Sequence, residues 1–513
     1  MPLAKTLMLQ GTGSHVGKSI LVAALCRIFK QEGYRVAPFK AQNMALNSFV
    51  TREGGEIGRA QAVQAQACGI EPTVDMNPIL LKPTTDYGSQ VIVLGKPIGT
   101  LPVEEYVKYK ETLRGVVRTS LERLRSCYDL VLMEGAGSPA EVNLRAHDLV
   151  NMAVAHLASA PVLLVGDIDR GGVFAWLVGT LELLTPEDRE RIRGLIINKF
   201  RGRREILKPG LDFLESKTGK PVLGVIPFFN DLKVPPEDSV SLQEAGDLRP
   251  EIPRQPPTSS LRIEVVQLPR ISNFTDFDPL QGEPDVQLGY IRQGADSQNP
   301  DLIILPGTKN TIADLLYVKS HGFVEALQNC LRRGGTVIGI CGGYQMLGRR
   351  IYDPDHVEGS ETQAEGLGFF NATTTLLPQK ITRQVTAIHA PTGIQISGYE
   401  IHMGRTQLME PYEPVFEIYE PGEPCGQPND GLPPRRDGAQ SSNGAVWGTY
   451  IHGLFDNNEF RRALLDRLRE KKGLKPLKDV QYVMDVDREL NGLAERVREH
   501  LDMGRIYQLI EES

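Results

Sequence analysis

The sequence predicts two α/β domains in tandem, an architecture that rests on three observations: short apolar runs alternating with helix-like segments, a proline-rich break near the middle, and a second series of apolar runs beyond it. At 513 residues the chain exceeds what one compact core accommodates, since domains of roughly 100–200 residues are the norm. The first series comprises Leu7–Gln10, Val36–Phe39, Leu130–Met133, Val162–Val165, Leu195–Ile197 and Val222–Ile226. Continuous apolar strands separated by helices mark a parallel sheet covered on both faces, so residues 1–232 form the first domain.

From Lys233 to Ser260 prolines and charges crowd together, with Pro235-Pro236 and Pro256-Pro257 among them, and 233–260 reads as a linker. The second series starts at Leu261–Val266 and runs through Leu302–Leu305, Val337–Ile340 and Val446–Ile451, which sets the second domain at 261–460. Inside it, Glu410–Arg436 is rich in Pro, Gly and acid and is expected to be a surface insertion or a partly disordered loop. Residues 461–513 read as a tail of charged amphipathic helices packing on a neighbour.

Composition narrows the function classes. Apolar residues at 41% and charged residues at 24% are ordinary for a globular chain and argue against disorder. Fifty-seven Lys and Arg against 64 Asp and Glu leave a net charge of −7, which supplies no electrostatic reason to bind nucleic acid. Six scattered cysteines without a CxxC pair suggest neither a zinc site nor a disulfide framework. The N-terminal residues run straight into a strand, and the apolar stretch Val150–Val165 is broken by Asn151, His156 and Pro161, so neither a signal peptide nor a membrane span is expected. The expectation is a cytoplasmic protein with no nucleic-acid or membrane partner.

Gly11-Thr12-Gly13-Ser14-His15-Val16-Gly17-Lys18-Ser19 follows a short apolar strand and opens a helix. Glycines let backbone N–H groups of Thr12, Gly13, Ser14, Val16 and Gly17 converge on phosphate oxygens, Lys18 balances charge at the outer phosphates, and the Ser19 hydroxyl is placed to ligate Mg²⁺. Five residues separate Gly11 from Gly17, one more than the strict phosphate-loop pattern, and this longer spacing resembles dethiobiotin synthetase and its relatives. Glu134 ends an apolar strand and is the candidate acid for the same Mg²⁺. Lys40, at the end of the second strand, is a candidate for the γ-phosphate, and Asn198 for the adenine of ATP.

The second chemical signature is Ile340-Cys341-Gly342-Gly343, where an apolar strand meets a helix through Gly-x-Cys-x-Gly. Small flanking residues allow the sharp turn that exposes a nucleophile at a helix N-terminus, where a thiolate is stabilised. Backbone N–H groups of Gly342 and Gly343 form an oxyanion site, with Gly307 as a second donor and part of the glutamine-binding region. His452, just after a strand and late in the chain as in class I glutamine amidotransferases, is the candidate base. The position two beyond it, where the common triad carries Glu, is Leu454; Glu400 and Asp456 are the nearest acids, and the sequence leaves open which of them, if either, orients the imidazole.

A glutaminase beside an ATP site implies amide synthesis, because ammonia displaces hydroxide from a carboxylate only after activation. The run Lys40–Ser48 (KAQNMALNS), Met76–Pro83, Glu134–Asn143 (EGAGSPAEVN), Asp167–Phe174 (DIDRGGVF), Pro306–Asn310 (PGTKN), Cys341–Gly348 (CGGYQMLG) and Tyr399–Gly404 (YEIHMG) resemble the cobyric acid synthase family. His15 and Arg203 stand where that family often has acids. The resemblance implies a phosphate-loop domain like dethiobiotin synthetase joined to a class I amidotransferase-like domain. It also implies ATP, Mg²⁺, glutamine and a corrinoid as reaction partners, with no tightly bound prosthetic group, and amidation of the b, d, e and g carboxylates of an adenosylated cobyrinic acid a,c-diamide. Two rivals are a cobyrinic acid a,c-diamide synthase and a non-synthetic ATPase switch with an inactive amidotransferase domain. Gln42-Asn43-Met44 after Lys40 disfavours the first, and the lack of a second lysine between Gly11 and Gly17 disfavours the other.

Overall fold

A computed structural model describes residues 3–85, 88–229, 259–419 and 434–513. The first domain is built on six parallel strands in the order Val222–Pro227, Ile192–Phe200, Val162–Asp167, Lys5–Gly11, Leu130–Glu134, Val36–Phe39. Their side chains are almost wholly buried, as a sheet with helices on both faces requires. The strand order reverses beside Lys5–Gly11, and the loop leaving its C-terminal end therefore opens into the crevice where doubly wound sheets bind ligands.

Two small sheets sit beside this core: Gln42–Met44, Ile79–Thr85, Gly88–Val93 and Lys96–Pro102 in one, Ser48–Val50 and Glu56–Gly58 in the other. They face the second domain. That domain has its own sheet in the order Val286–Ile291, Leu261–Val266, Leu302–Leu305, Thr336–Ile340, Val446–Thr449, Ala439–Gln440, parallel except for the last strand. Over it lies a sheet dominated by a long antiparallel hairpin, Ala372–His389 and Gln395–Leu408. The hairpin bridges to the first domain, where Thr382 Oγ1 donates to Gly54 O at 2.7 Å and Gln384 Nε2 to Val50 O at 3.0 Å.

Most of the expected linker, 233–258, and residues 420–433 of the expected insertion lie outside the described residues. The flanks of that insertion correct the expectation of a surface loop. Phe416–Tyr419 pairs with the long hairpin and with Arg435–Asp437, and Val415 and Phe416 are buried in the core. The short apolar alternation there was masked by the surrounding prolines and acids.

The final helices divide between the domains. Asn458–Lys471 packs on the second domain, buries Phe460, Leu465 and Leu468 in its core, and ties Arg462 to Asp285 at 3.0 Å. Val486–Arg498 and Met503–Glu511 return to the first domain. Leu490, Leu493, Val497, Ile506 and Leu509 join the apolar face of the helix Lys18–Gln31 in one cluster. Each such side chain, fully buried, is worth roughly 1.5–3 kcal/mol. Asp485 and Asp502 cap these two helices through the backbone N–H groups of Arg488 and Arg505.

Candidate functional site

The strand Lys5–Gly11 turns directly into the loop that precedes the helix Lys18–Gln31. Gly17 adopts φ 95°, and a Cβ there would lie 2.2 Å from Asn198 Nδ2, so only glycine fits. Thr12 N is anchored on Val165 O at 2.9 Å, while its Oγ1 is buried with no partner among the described residues. Lys18 Nζ donates to Gly13 O at 2.9 Å and to Gly137 O at 3.3 Å, which draws the lysine across the loop. Asn198 Nδ2 donates to the Val16 carbonyl at 2.8 Å and so buttresses the loop from behind.

Glu134 is the hub of this site. Its buried carboxylate accepts from Ser19 Oγ at 2.8 Å, Lys40 Nζ at 2.8 Å and Gln64 Nε2 at 2.8 Å. Three elements distant in sequence therefore converge on one acid at the head of the helix. A hydroxyl and a carboxylate in contact are hard oxygen donors of the kind Mg²⁺ takes, so the residues present fit that ion. Ser14, Lys18 and Lys40 line an open cavity of about 590 Å³ together with Gln42–Leu46 and Pro83. Asp167, the last residue of the strand Val162–Asp167, accepts from Asp169 N at 2.8 Å, which closes a turn, and from Lys199 Nζ at 2.8 Å.

In the second domain Cys341 sits between the strand Thr336–Ile340 and the helix Gly342–Leu347. Its φ of 53° with ψ of −109° is a strained conformation for a residue with a side chain, and such strain gathers at functional sites. A Cβ on Gly343 would lie 2.0 Å from Leu305 O, so the tight strand-to-helix turn demands glycine. The Cys341 thiol donates to Ile401 O at 3.6 Å. Gly307 lies against the ring of His452, with Ser272 N bonded to its carbonyl at 2.9 Å.

His452 is fully buried and stacks on Tyr399 with ring centroids 5.3 Å apart. Its Nδ1 lies 2.6 Å from Asp276 Oδ2, and Gly453 N donates to the other carboxylate oxygen at 3.3 Å. Burial opposes the imidazolium, but the Asp276 charge and hydrogen bond, with Cys341 adding to them, raise His452 to about 10. Nε2 has no partner of ordinary hydrogen-bond geometry among the described residues, yet Cys341 is near enough to favour the charged ring. Cys341, His452 and Asp276 thus have the arrangement of nucleophile, base and orienting acid.

Neither acid nearest in sequence orients the imidazole. Glu400 accepts from Arg383 Nε at 2.6 Å and from Arg435 Nη1 at 3.1 Å, and it is drawn down to about 2, the arginines and a contact with His402 outweighing burial. Asp456 is raised to about 6 by burial, with the charge of Arg59 opposing. Asp276 itself went unread in the sequence, although a signal existed. The polar run Ser272-Asn273-Phe274-Thr275-Asp276 follows the carboxyl end of the strand Leu261–Val266, where open α/β sheets place their sites.

Cys341 also lines a small cavity of about 20 Å³, and its walls come from both domains: Lys82 from the first, Asn273, Lys309, Lys380 and His402 from the second.

Comparison with known proteins agrees with this division. Residues 7–241 match the model of a CobQ/CobB/MinD/ParA nucleotide binding domain, and residues 262–460 match that of a CobB/CobQ-like glutamine amidotransferase domain. The chain is 50% identical to the cobyric acid synthase of Pelotomaculum thermopropionicum, across 99% of this chain and 97% of that one. It is 50% identical to the cobyric acid synthase of Dehalococcoides mccartyi and 48% identical to that of Syntrophobacter fumaroxidans, each across 99% of both chains.

Proposed function

This chain belongs to the cobyric acid synthase family, and from that premise we propose that it amidates the b, d, e and g carboxylates of adenosylcobyrinic acid a,c-diamide, yielding adenosylcobyric acid. As a member of the family it is an ATP-dependent, glutamine-hydrolysing ligase that forms amides in cobalamin biosynthesis. Its place of action is the cytoplasm; among the described residues no helix is long and apolar enough to cross a membrane.

The observation that carries this reading is the pairing, in one molecule, of the Cys341–His452–Asp276 array with the convergence of Ser19, Lys40 and Gln64 on Glu134 beside the phosphate loop. The Cys341 thiol gives its proton to His452, and the thiolate attacks the carboxamide carbon of glutamine. The oxyanion that forms lies near the backbone N–H groups of Gly342, Gly343 and Gly307. The His452 imidazolium gives its proton to the departing nitrogen, ammonia leaves, and water hydrolyses the thioester to glutamate. Asp276 holds the ring in place and keeps it charged.

In the first domain a corrinoid carboxylate oxygen attacks the γ-phosphorus of ATP and ADP departs, leaving an acyl phosphate. Ammonia then attacks the acyl carbon, phosphate leaves, and the nitrogen sheds a proton to become the amide. Thr12, Gly13, Ser14, Val16 and Gly17 present backbone to the phosphates, and Lys18 and Lys40 balance their charge. Ser19 and Glu134 would hold Mg²⁺, which when bound neutralises the outer phosphates. Asn198 supports the loop from the adenine side. The open cavity beside Lys18 leaves room for a bulky acid to approach.

Incubation with ATP, glutamine and the adenosylated diamide tests the reading, with products resolved by mass. Stepwise amide gains, each matched by glutamate and ADP, are expected. Glutamate and ADP formed without any gain of nitrogen by the corrinoid would sink it.

A further inference from the structure

The cavity beside the phosphate loop holds a second set of cations that no step of the amidation uses. Lys18 and Lys40 line it from the loop and the adjacent strand. Lys110, from the helix Val103–Cys127, and Arg145, from the short turn Arg145–His147, line it as well. Met44, Leu46 and Leu144 add apolar surface to the same space.

Lys110 is held in position there. Its Nζ donates to His147 O at 3.2 Å and stands 5.7 Å from the centre of the Tyr106 ring. Tyr106 is buried, and its hydroxyl donates to Gln42 Oε1, so the ring beneath the ammonium is itself fastened to a residue of the cavity wall. A lysine steered by a carbonyl and a ring face has already given up much of the rotamer freedom that a solvated lysine keeps. Burial draws Lys110 below the ordinary lysine range, with the charges of Asp148 and Glu141 opposing.

The acids of the cavity are engaged elsewhere. Asp148 accepts from Val150 N at 2.9 Å, Asn151 N at 3.0 Å and Ala153 N at 2.8 Å, Glu141 accepts from Ser138 N at 3.1 Å, and Asp188 lies 2.7 Å from His156 Nε2. Arg145 Nη2 donates to Leu183 O. Among the described residues no carboxylate forms an ion pair with Lys110 or Arg145. The wall therefore presents two cations without acid partners, one of them half-buried, to the molecule that fills the cavity.

The substrate of the reading above carries several acid arms around one large ring, and only one arm at a time reaches the γ-phosphate. Because the phosphate site is fixed, each round brings a different arm to any other point of the wall. An arm that is still a carboxylate gains a charge-assisted hydrogen bond from a half-buried ammonium, whereas an arm already converted to an amide offers only a neutral oxygen.

We propose that Lys110, together with Arg145, anchors a corrinoid carboxylate that awaits its turn while another is activated at the phosphate loop. The inference rests on the amide-forming reading above and gives it a substrate-positioning residue. Each nitrogen gained removes an anion from the ring, so the wall holds the finished product less tightly than the first substrate.

The test measures initial rates of the first amide gain, by mass, with adenosylcobyrinic acid a,c-diamide as the varied substrate and adenosylcobyric acid as the inhibitor. Lys110→Met keeps a long side chain suited to a helix and removes the charge. Its KM for the diamide is expected to rise about tenfold or more, as loss of a hydrogen bond to a charged group implies. Inhibition by the product should weaken far less, and the KM for ATP should not move. Lys110→Arg should restore most of the affinity, and Arg145→Gln should raise the diamide KM in the same direction. Added salt should narrow the gap between wild type and Lys110→Met, since it screens the attraction that only the wild type has. An unchanged diamide KM in Lys110→Met, equal weakening of diamide and product, or a matching rise in the KM for ATP would overturn the inference. Failure of wild-type protein to add any nitrogen to the diamide would instead overturn the functional reading.

Discussion

Asp276 Oδ2 lies 2.6 Å from His452 Nδ1 although 176 residues separate them in sequence. The consequence is an imidazole kept charged well above its ordinary range. His452 goes from an unperturbed value of about 6.5 to about 10 in the folded protein. A raised pKa contributes stability that is whole below the unfolded value and is lost as pH climbs through the folded one.

Asp276→Asn keeps the shape and removes the charge. Glutaminase kcat is expected to fall on the order of 10³-fold or more, as in hydrolase triads that lose this acid. Because the imidazolium is then less favoured, the alkaline limb of the pH profile should move to lower pH. Glu400→Gln, engaged with Arg383 and Arg435, should leave that limb in place. Steady-state glutamate release across pH checks both, and an unmoved limb in Asp276→Asn would refute the assignment.

Cys341→Ala should abolish amidation from glutamine and spare amidation from added ammonia. Lys18→Ala should eliminate both, since no carboxylate is activated without the phosphate site. Product masses with each nitrogen source separate the two outcomes.

Glu134→Gln tests the hub of the first site, where Ser19, Lys40 and Gln64 meet. Apparent Mg²⁺ affinity is expected to weaken by roughly 10- to 100-fold, the range seen when carboxylates that support metal sites are removed. ADP formation titrated against Mg²⁺ measures it, with glutamine hydrolysis in the second domain as an internal control.

Leu493→Ala removes a fully buried side chain that packs the tail against the helix Lys18–Gln31. A loss of about 2–5 kcal/mol is expected for such a truncation. It should appear in the unfolding transition that nucleotide protects, which denaturant titration with and without ATP identifies.

The phosphate loop and the cysteine elbow were legible because their chemistry is local: a strand, a few residues of fixed type and a helix carry the whole signal. Glu134 was legible for the same reason, as the end of an apolar strand. Asp276 was not, because the short helical turn that delivers it meets His452 only through the packing of distant segments. Lys82 and Lys380 were hidden in the same way, since they meet only where the two domains approach across the buried carboxylate of Glu56. The strands at Phe416–Tyr419 and Arg435–Asp437 were obscured by the composition around them. The tail was read as amphipathic from its periodicity, but which surface it covers is a property of the folded chain.

The return of Val486–Arg498 and Met503–Glu511 to the first domain also sets an order for biosynthesis. A ribosome completes the nucleotide-binding sheet early, yet the apolar flank of Lys18–Gln31 stays bare until residues near 510 emerge. By then the whole amidotransferase half has been made. Nascent chains therefore acquire the two chemistries nearly together, and a translation product cut short after the second domain keeps its glutaminase while its ATP site lacks a supporting flank.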